Sequence, residues 1–274
     1  MTMTTPRYVL GHSDFELQRL ARQAQFLEPT TREYFRIAGM APGMRVLDVG
    51  SGTGAVAFLA AELVGPSGEV VGTDVAPAAI SMARKAAMAG GKAQVSFREG
   101  DPGEMVFERA FDFVVGRYVL WAQADPSEML RKVAKHLRPG GVILFHELDW
   151  SFVRSEPAVP TYDRCCRWII ETFDHSNASL TNMVTRLHRA FLVADLPPPT
   201  MHMRTVVGDA VSAEAWLRAV AEIVITLQSA MEQYGVATSA DVGPDTIADR
   251  LVQEVAFSRG IVIGRAEIGA WSRV

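Results

Sequence analysis

A doubly wound α/β fold with a mostly parallel sheet is predicted by three observations. Continuous apolar runs alternate with helical stretches up to about residue 150, the pattern of parallel strands buried on both faces beneath helices. The first core run, "VLDVG", opens directly into two more closely spaced glycines and a helix-forming stretch, "SGTGAVAFL". Later helical stretches end at glycine or proline, the residues that stop helices.

Each element follows from its own residues. "FELQRLARQAQFLEPTTREYFRIAG" places Leu17, Leu20, Ala24 and Leu27 on one helical stripe and stops at Pro42 and Gly43. "MRVLDVG" reads as a buried strand and "AVAFLAAELVG" as a helix. "GEVVGTDV" is a second strand, and "APAAISMARKAAMAGG" a second core helix with Pro77 in its first turn. "AQVSFREGD" and "RAFDFVVGR" give strands three and four. "SEMLRKVAKHLRPGG" is expected to stay helical up to Pro139, before a fifth strand, "VILFHELDW". Beyond it the rhythm changes. "YDRCCRWIIETFDHS" and "NMVTRLHRAFLVADL" read as helices, "TMHMRTVVG" as a strand, then two helices and a closing strand, "IVIGRAEIGAWSRV".

Composition narrows the function classes. With 274 residues and an apolar fraction of 49%, the chain can bury one large core. A net charge of -4 without a Lys/Arg-rich run argues against a nucleic-acid surface. No apolar stretch reaches membrane-spanning length, and the first twenty residues do not read as a secretory signal. A cytoplasmic protein is expected, with the adjacent Cys165 and Cys166 as idle thiols. The six histidines show no metal-ligand spacing, so no metal is expected.

The glycine turn sits where open parallel sheets bind ligands, beyond the carboxyl ends of the strands. Three readings compete: a bare tight turn, a dinucleotide cradle, and a seat for S-adenosylmethionine. "GSGTGA" satisfies the loose dinucleotide pattern, with Asp74 near the place of a ribose-binding acid. Asp48, two positions before the first glycine, tells against a pyrophosphate because it would set a carboxylate beside a dianion. It suits a ligand with a cationic group, or a network that orders the loop.

"VLDVGSGTGAVAFLAA" resembles the first motif of class I S-adenosylmethionine-dependent methyltransferases, and "VVGTDVAP", "SFREGDPGEM", "FDFVVGRYVLWAQADP" and "LRPGGVILFHELD" resemble the motifs that follow it in order. "YVLGHSDFELQRLARQAQFL", "RLHRAFLVADLP" and "IADRLVQEVAFSRG" are similar to a bacterial subgroup acting on small molecules. The resemblance implies a Rossmann-like, seven-stranded sheet with an antiparallel last strand and an added helical lid. It implies a single domain over 1–274, with a cofactor core over 41–150, an N-terminal segment over 1–40 that closes on the cofactor, and lid insertions over 155–180 and 211–258.

Site residues follow from the same resemblance. Gly50, Ser51, Gly52 and Gly54 would line the methionine part of the cofactor. Asp48 would orient that loop or reach the ammonium through water, and Asp74 would accept both ribose hydroxyls, two carboxylate oxygens matching a vicinal diol. Val75 would pack on the adenine and Asp101 would accept its amino group. Asp74 and Asp101 could instead only cap the helices after them. Pro102 departs from the family, which offers a backbone N–H there; either Gly103 supplies it or that bond is absent. Arg117 could pair with the methionine carboxylate, while Tyr8 and Gln23 would cover the cofactor from the N-terminal segment.

Methyl transfer is an in-line displacement that needs alignment, exclusion of water and, for some acceptors, a base. Glu147 is the preferred base or anchor, with His146 as rival and Tyr118 beside them. Glu147 could equally hold a neighbouring loop. His12, Trp121, Trp150, Tyr162 and Trp168 are candidate acceptor contacts, and an aromatic or heteroaromatic small molecule is the expected acceptor. Aromatics at helical spacing also serve as core. The competing functions are a nicotinamide-dependent oxidoreductase and a non-catalytic cofactor-binding protein. Oligomeric state is not legible in the sequence.

Overall fold

The computed structural model of the chain describes residues 14–176 and 179–274, with side chains from residue 22 onward. The alternating runs become β1 (Arg45–Val49), α2 (Ala55–Val64), β2 (Glu69–Asp74), α3 (Pro77–Ala89), β3 (Val95–Glu99) and β4 (Phe111–Arg117), preceded by helix α1 (Asp14–Ile37). Then come α4 (Pro126–Ala134), β5 (Leu137–Asp149), β6 (Arg154–Glu156), α5 (Pro160–His175), α6 (Met183–Val193) and β7 (Thr200–Gly208). The chain closes with α7 (Glu214–Tyr234), the short α8 (Ser239–Val242), α9 (Ile247–Ser258) and β8 (Ile261–Arg273).

The chain divides into two compact units. Unit 2 comprises Leu27–Glu147, Val184–Met203 and Ile268–Val274. Its strands lie in the order β3-β2-β1-β4-β5-β8, and β1 through β5 pair in parallel. The registers Val49 with Thr73, Val49 with Gly116 and Arg117 with His146 bring the carboxyl ends of these strands to one edge. Val46, Leu47, Phe113, Val114, Ile143 and Leu144 are wholly buried, each contributing about 1.5–3 kcal/mol of transfer free energy. Helix α2 buries Val56, Ala57, Leu59, Ala60 and Ala61, which is why its run is apolar nearly all round.

Unit 1 comprises the chain up to Phe26, Leu148–Met183 and Arg204–Glu267; the segments 155–180 and 211–258 fall within it. Here α7 packs against α5 and α9, burying Leu217, Val220, Val224 and Leu227. Cys165 and Cys166 are free and buried in α5, and burial pushes the Cys165 thiol up to about 12, so neither is a ready nucleophile.

Two local expectations are corrected. Helix α4 ends at Ala134, and "LRPGG" opens strand β5, with Leu137 already opposite Phe111. Gly140 takes a φ of 78° and donates its N–H to the Val274 carbonyl, so the two glycines serve an irregular strand entry instead of a helix stop. The sheet also has eight strands, one more than expected. The addition is β6, three residues antiparallel to β8 with Ser155 opposite Val262, too short to show period-two alternation. Strand β7 also pairs with β8.

Candidate active site

The glycine turn is built from backbone conformations that glycine adopts at low cost. Gly50, Gly52 and Gly54 have φ of 65°, 53° and 96°. A Cβ on Gly50 would stand 2.7 Å from Val119 Cγ2, and one on Gly54 would stand 2.7 Å from Phe97 Cζ. One on Gly52 would meet nothing within 4 Å. Packing therefore accounts for the two outer glycines, while the middle one faces open space. Asp74 holds the turn: its carboxylate accepts the Gly52 N–H at 2.8 Å and the Ala76 N–H at 2.9 Å. Each carboxylate oxygen has two lone pairs, so these bonds leave capacity for a diol. Next to it, Val75 is 70% exposed, an apolar face of the kind an aromatic base packs on. Gly54 caps α2 without a side-chain hydrogen bond, so the N-cap residue itself leaves the helix's opening N–H groups uncapped.

Beneath the turn lies Asp48, in β1 between Gly72 and Val115. It is fully buried, and neither carboxylate oxygen has a hydrogen bond of normal geometry, the Ala57 amide bearing on it only weakly. Burial pushes its carboxyl from 3.8 up to about 8, helped by the charge of Asp74 and opposed by Arg117 and the Ala57 amide. Ser51 Oγ beside it is likewise buried without a partner. Buried polar groups are nearly always satisfied, so these two stand out among the buried side chains of the site.

A hydrogen-bonded cluster stands at the ends of β4 and β5. The Thr31 hydroxyl donates to the Leu27 carbonyl at 3.0 Å and accepts from Arg117 Nη1 at 3.2 Å. His146 Nδ1 lies 3.0 Å from the same oxygen. The single hydroxyl proton is already committed, so Nδ1 carries the hydrogen of that bond. Tyr34 packs edge-on against the imidazole at 5.1 Å and Tyr118 at 5.8 Å. His146 is wholly buried.

Glu147 is buried too, and it holds a loop. Its Oε1 accepts the N–H groups of Val119 at 2.9 Å and Leu120 at 2.8 Å, and Oε2 accepts that of Trp121 at 3.3 Å. These donors open the 3-10 turn Leu120–Ala122. Burial pushes the Glu147 carboxyl from 4.5 up to about 7, against the pull of the three amides and Arg186. Val119 is the residue that fits against Gly50, so Glu147 ties the end of β5 to the glycine turn. Tyr118 supplies the bend, at φ 59°, and its carbonyl accepts the Trp121 indole N–H at 2.9 Å.

At the end of β3, Asp101 Oδ1 accepts the Gly103 N–H at 2.8 Å. That donor is thus turned to Asp101 itself and not offered outward in place of the one Pro102 lacks. Pro102 is buried, and its carbonyl accepts from His136 Nε2 at 2.7 Å.

Other expected site residues lie in unit 1 or outside the described residues. Trp150 is 2% exposed. The Tyr162 hydroxyl donates to the Ile263 carbonyl and accepts the Trp216 indole N–H. Trp168 is buried, with the Arg164 guanidinium 5.5 Å from its ring. Gln23 lines a cavity of unit 1 described below. Tyr8 and His12 fall outside the described residues. Among the described residues no cluster of three or more His, Cys, Asp or Glu could hold a metal, and no helix is long and apolar enough to cross a membrane. Thr31, Tyr34 and Val119 are the members of the site that sequence reasoning missed. Only a contact between distant segments reveals them.

Comparison with known proteins gives the site its context. The chain is similar to the aklanonic acid methyltransferase DauC of a Streptomyces species, 39% identical over 122 residues, 44% of this chain and 56% of that protein. It is similar to the nocamycin O-methyltransferase of Saccharothrix syringae, 36% identical over 124 residues, 45% and 44% of the two chains. The chain thus spans about half the length of these curated relatives. Among solved structures, the [4+2]-cyclase SpnF shares the fold at 19% identity and a TM-score of 0.52, over 90% of this chain and 81% of that one. A family model described as "Methyltransferase domain" matches residues 41–186. That match takes in the glycine turn, Asp48, Asp74, Asp101 and Glu147 and more than half of the chain, which therefore belongs to the methyltransferase-domain family, whose methyl donor is S-adenosylmethionine.

Proposed function

We propose that this protein transfers a methyl group from S-adenosylmethionine to a small organic acceptor. One observation carries the reading: a fully buried carboxylate without a partner, Asp48, beneath an open glycine turn. A pyrophosphate would add two negative charges beside that acid. A ligand carrying an ammonium and a sulfonium supplies the positive charge it lacks, at short range and low dielectric, where pairing is strongest. The same observation disfavours a nicotinamide dinucleotide.

Bound S-adenosylmethionine supplies a methyl group already activated by its sulfonium. The chain's own residues bind, align and exclude water. Asp74 takes the ribose hydroxyls, Val75 one face of the adenine, and Asp101 its amino group. Gly50, Ser51, Gly52 and Gly54 admit the methionine part to the backbone. Asp48 faces the ammonium, and Arg117 serves the carboxylate end. Glu147 acts as a positioning residue, because its three amide bonds hold Val119 to Trp121 in place. His146, bonded to Thr31 through Nδ1, is the better candidate for proton removal. Tyr118 and Trp121 stand at the same strand end. The names of two relatives, an aklanonic acid methyltransferase and a nocamycin O-methyltransferase, support a small organic acceptor, and the aromatic or heteroaromatic character is the part of the proposal that an acceptor panel tests.

Calorimetry with S-adenosylhomocysteine tests the reading. Asp74→Ala should weaken binding at least about tenfold, since a charged hydrogen bond contributes about 1.5–3 kcal/mol. Unchanged affinity would remove the ribose assignment. Tight binding without turnover on any acceptor in a broad panel would favour a non-catalytic role.

A further inference from the structure

Unit 1 holds a cavity that none of the assignments above uses. It has a volume of about 240 Å³ and lies among α1, α7 and β8, with Phe26, Trp216 and Ile223 on its walls. Phe26 and Trp216 stack at 6.5 Å between ring centroids, 28° from parallel. Ala215 and Ala219, one helical turn apart on α7, keep the space clear.

The polar part of the lining is rich in donors. Arg22, Arg218 and Arg265 face the cavity with Gln23, and Glu222 is the one carboxylate among the lining residues. Each arginine has an acidic partner: Arg22 with Glu222 at 2.8 Å, Arg218 with Glu214 at 2.9 Å, and Arg265 with Glu267 at 2.9 Å. Arg218 also reaches Asp249 at 3.4 Å, so these pairs hold the guanidinium groups in fixed orientations at the cavity.

Arg265 is the most telling member. Its pair with Glu267 is buried, both side chains being under a tenth exposed. The guanidinium carbon lies 5.7 Å from the Trp150 ring and 5.5 Å from the Trp216 ring. A buried ion pair is costly to desolvate and adds little stability over an apolar pair. Here it fixes a guanidinium beside two neighbouring indoles, whose centroids are 5.6 Å apart, at the wall of an aromatic cavity.

We propose that this cavity binds a planar aromatic molecule bearing carboxylate or carbonyl oxygens, its ring against Trp216 and Phe26 and its oxygens toward Arg265 and Arg218. The volume lies just under the range of about 300–1,000 Å³ typical of sites for drug-sized ligands, which suits a bicyclic ring system. Binding here is independent of the methyl-transfer reading, because it is measured on the cofactor-free protein.

The experiment is calorimetric titration of the full chain with naphthoate, and with naphthylmethylammonium as a probe of the same ring and opposite charge. Naphthoate should bind and the ammonium probe should not. Ala219→Phe should weaken naphthoate at least about tenfold by filling the space, about 1.4 kcal/mol. Arg218→Ala, at a side chain half in solvent, should weaken it by a few-fold. Unchanged melting temperatures show that both variants are folded, and a variant that does not fold is replaced by Ala215→Leu at the exposed rim. No binding of naphthoate, equal binding of both probes, or affinity untouched by Ala219→Phe would each overturn the proposal. Because the titration needs no cofactor, failure here leaves the methyl-transfer reading standing, and failure of the S-adenosylhomocysteine titration leaves this site standing.

Discussion

Asp48 makes the stability of the cofactor-free protein depend on pH, and replacing it with asparagine should remove most of that dependence. A carboxyl whose folded-state pKa lies above its unfolded value binds its proton more tightly when folded. Its contribution is fully present below the unfolded value and is lost as pH rises toward the folded one. For Asp48 that window runs from 3.8 to about 8, because burial without a partner penalises the charged form. The slope is about 1.4 kcal/mol per pH unit inside the window, or at most about 4 kcal/mol between about pH 5 and pH 8. Glu147, raised from 4.5 to about 7, adds at most about 2–3 kcal/mol over the same interval. Urea unfolding across this range should show the wild-type protein losing both contributions and Asp48→Asn only that of Glu147. Above about pH 7 the variant should be the more stable of the two. Saturating S-adenosylhomocysteine should flatten the wild-type slope, because a cation beside Asp48 favours its ionised form. Calorimetry in buffers of different ionisation enthalpy near pH 7 should then detect close to one proton released on binding. Parallel pH slopes for wild type and Asp48→Asn would show that the carboxylate is neither desolvated nor alone, and the reasoning from its burial to a cationic ligand would fall with it.

Three further outcomes follow from the geometry. Glu147→Gln keeps one acceptor but turns an amide N–H toward that of Trp121, so it should cost about 1–3 kcal/mol of stability and raise the cofactor's KM more than it lowers kcat. Gly52→Ala and Gly54→Ala should part company: the first meets only the φ penalty of about 1–2 kcal/mol, a fall of a few degrees in Tm, and should lose cofactor affinity. The second adds a clash with Phe97 and Phe58 to the same φ penalty and should lower Tm clearly further, and equal falls at both positions would sink the distinction between a ligand face and a packing face. Thr31→Val strands the Nδ1 hydrogen of His146 and should cost about 1–3 kcal/mol; nitrogen NMR showing an unchanged His146 tautomer would refute the assignment made through Leu27.

What could be read ahead of the structure divides along a physical line. Parallel strands covered on both faces leave an apolar record in their own residues, and a turn that needs left-handed backbone leaves glycines. β1 to β5, the glycine turn and the acids at the strand ends were legible for these reasons, Asp48 included, since a charge in an otherwise apolar strand is conspicuous. Side chains that serve distant backbone leave no such record. The alternation along β5 placed Glu147 at the sheet's carboxyl edge, yet nothing in "FHELDW" shows three amides 26 to 28 residues earlier waiting for its oxygens. Thr31 is hidden more deeply, because its hydroxyl proton goes to Leu27 one turn back, an ordinary helical arrangement in which its part in holding His146 and Arg117 has no sequence trace. The same applies in reverse to Tyr162: an aromatic on an amphipathic helix suggested a pocket wall, and its hydroxyl is engaged with Ile263 and Trp216 in the core of unit 1. Sequence therefore reports what a residue costs its own segment, and the site's inner workings rest on what residues supply to other segments. Asp48 is where the two coincide, since a carboxylate buried at such cost to its strand calls for a partner, and the cation of the proposed cofactor would be one.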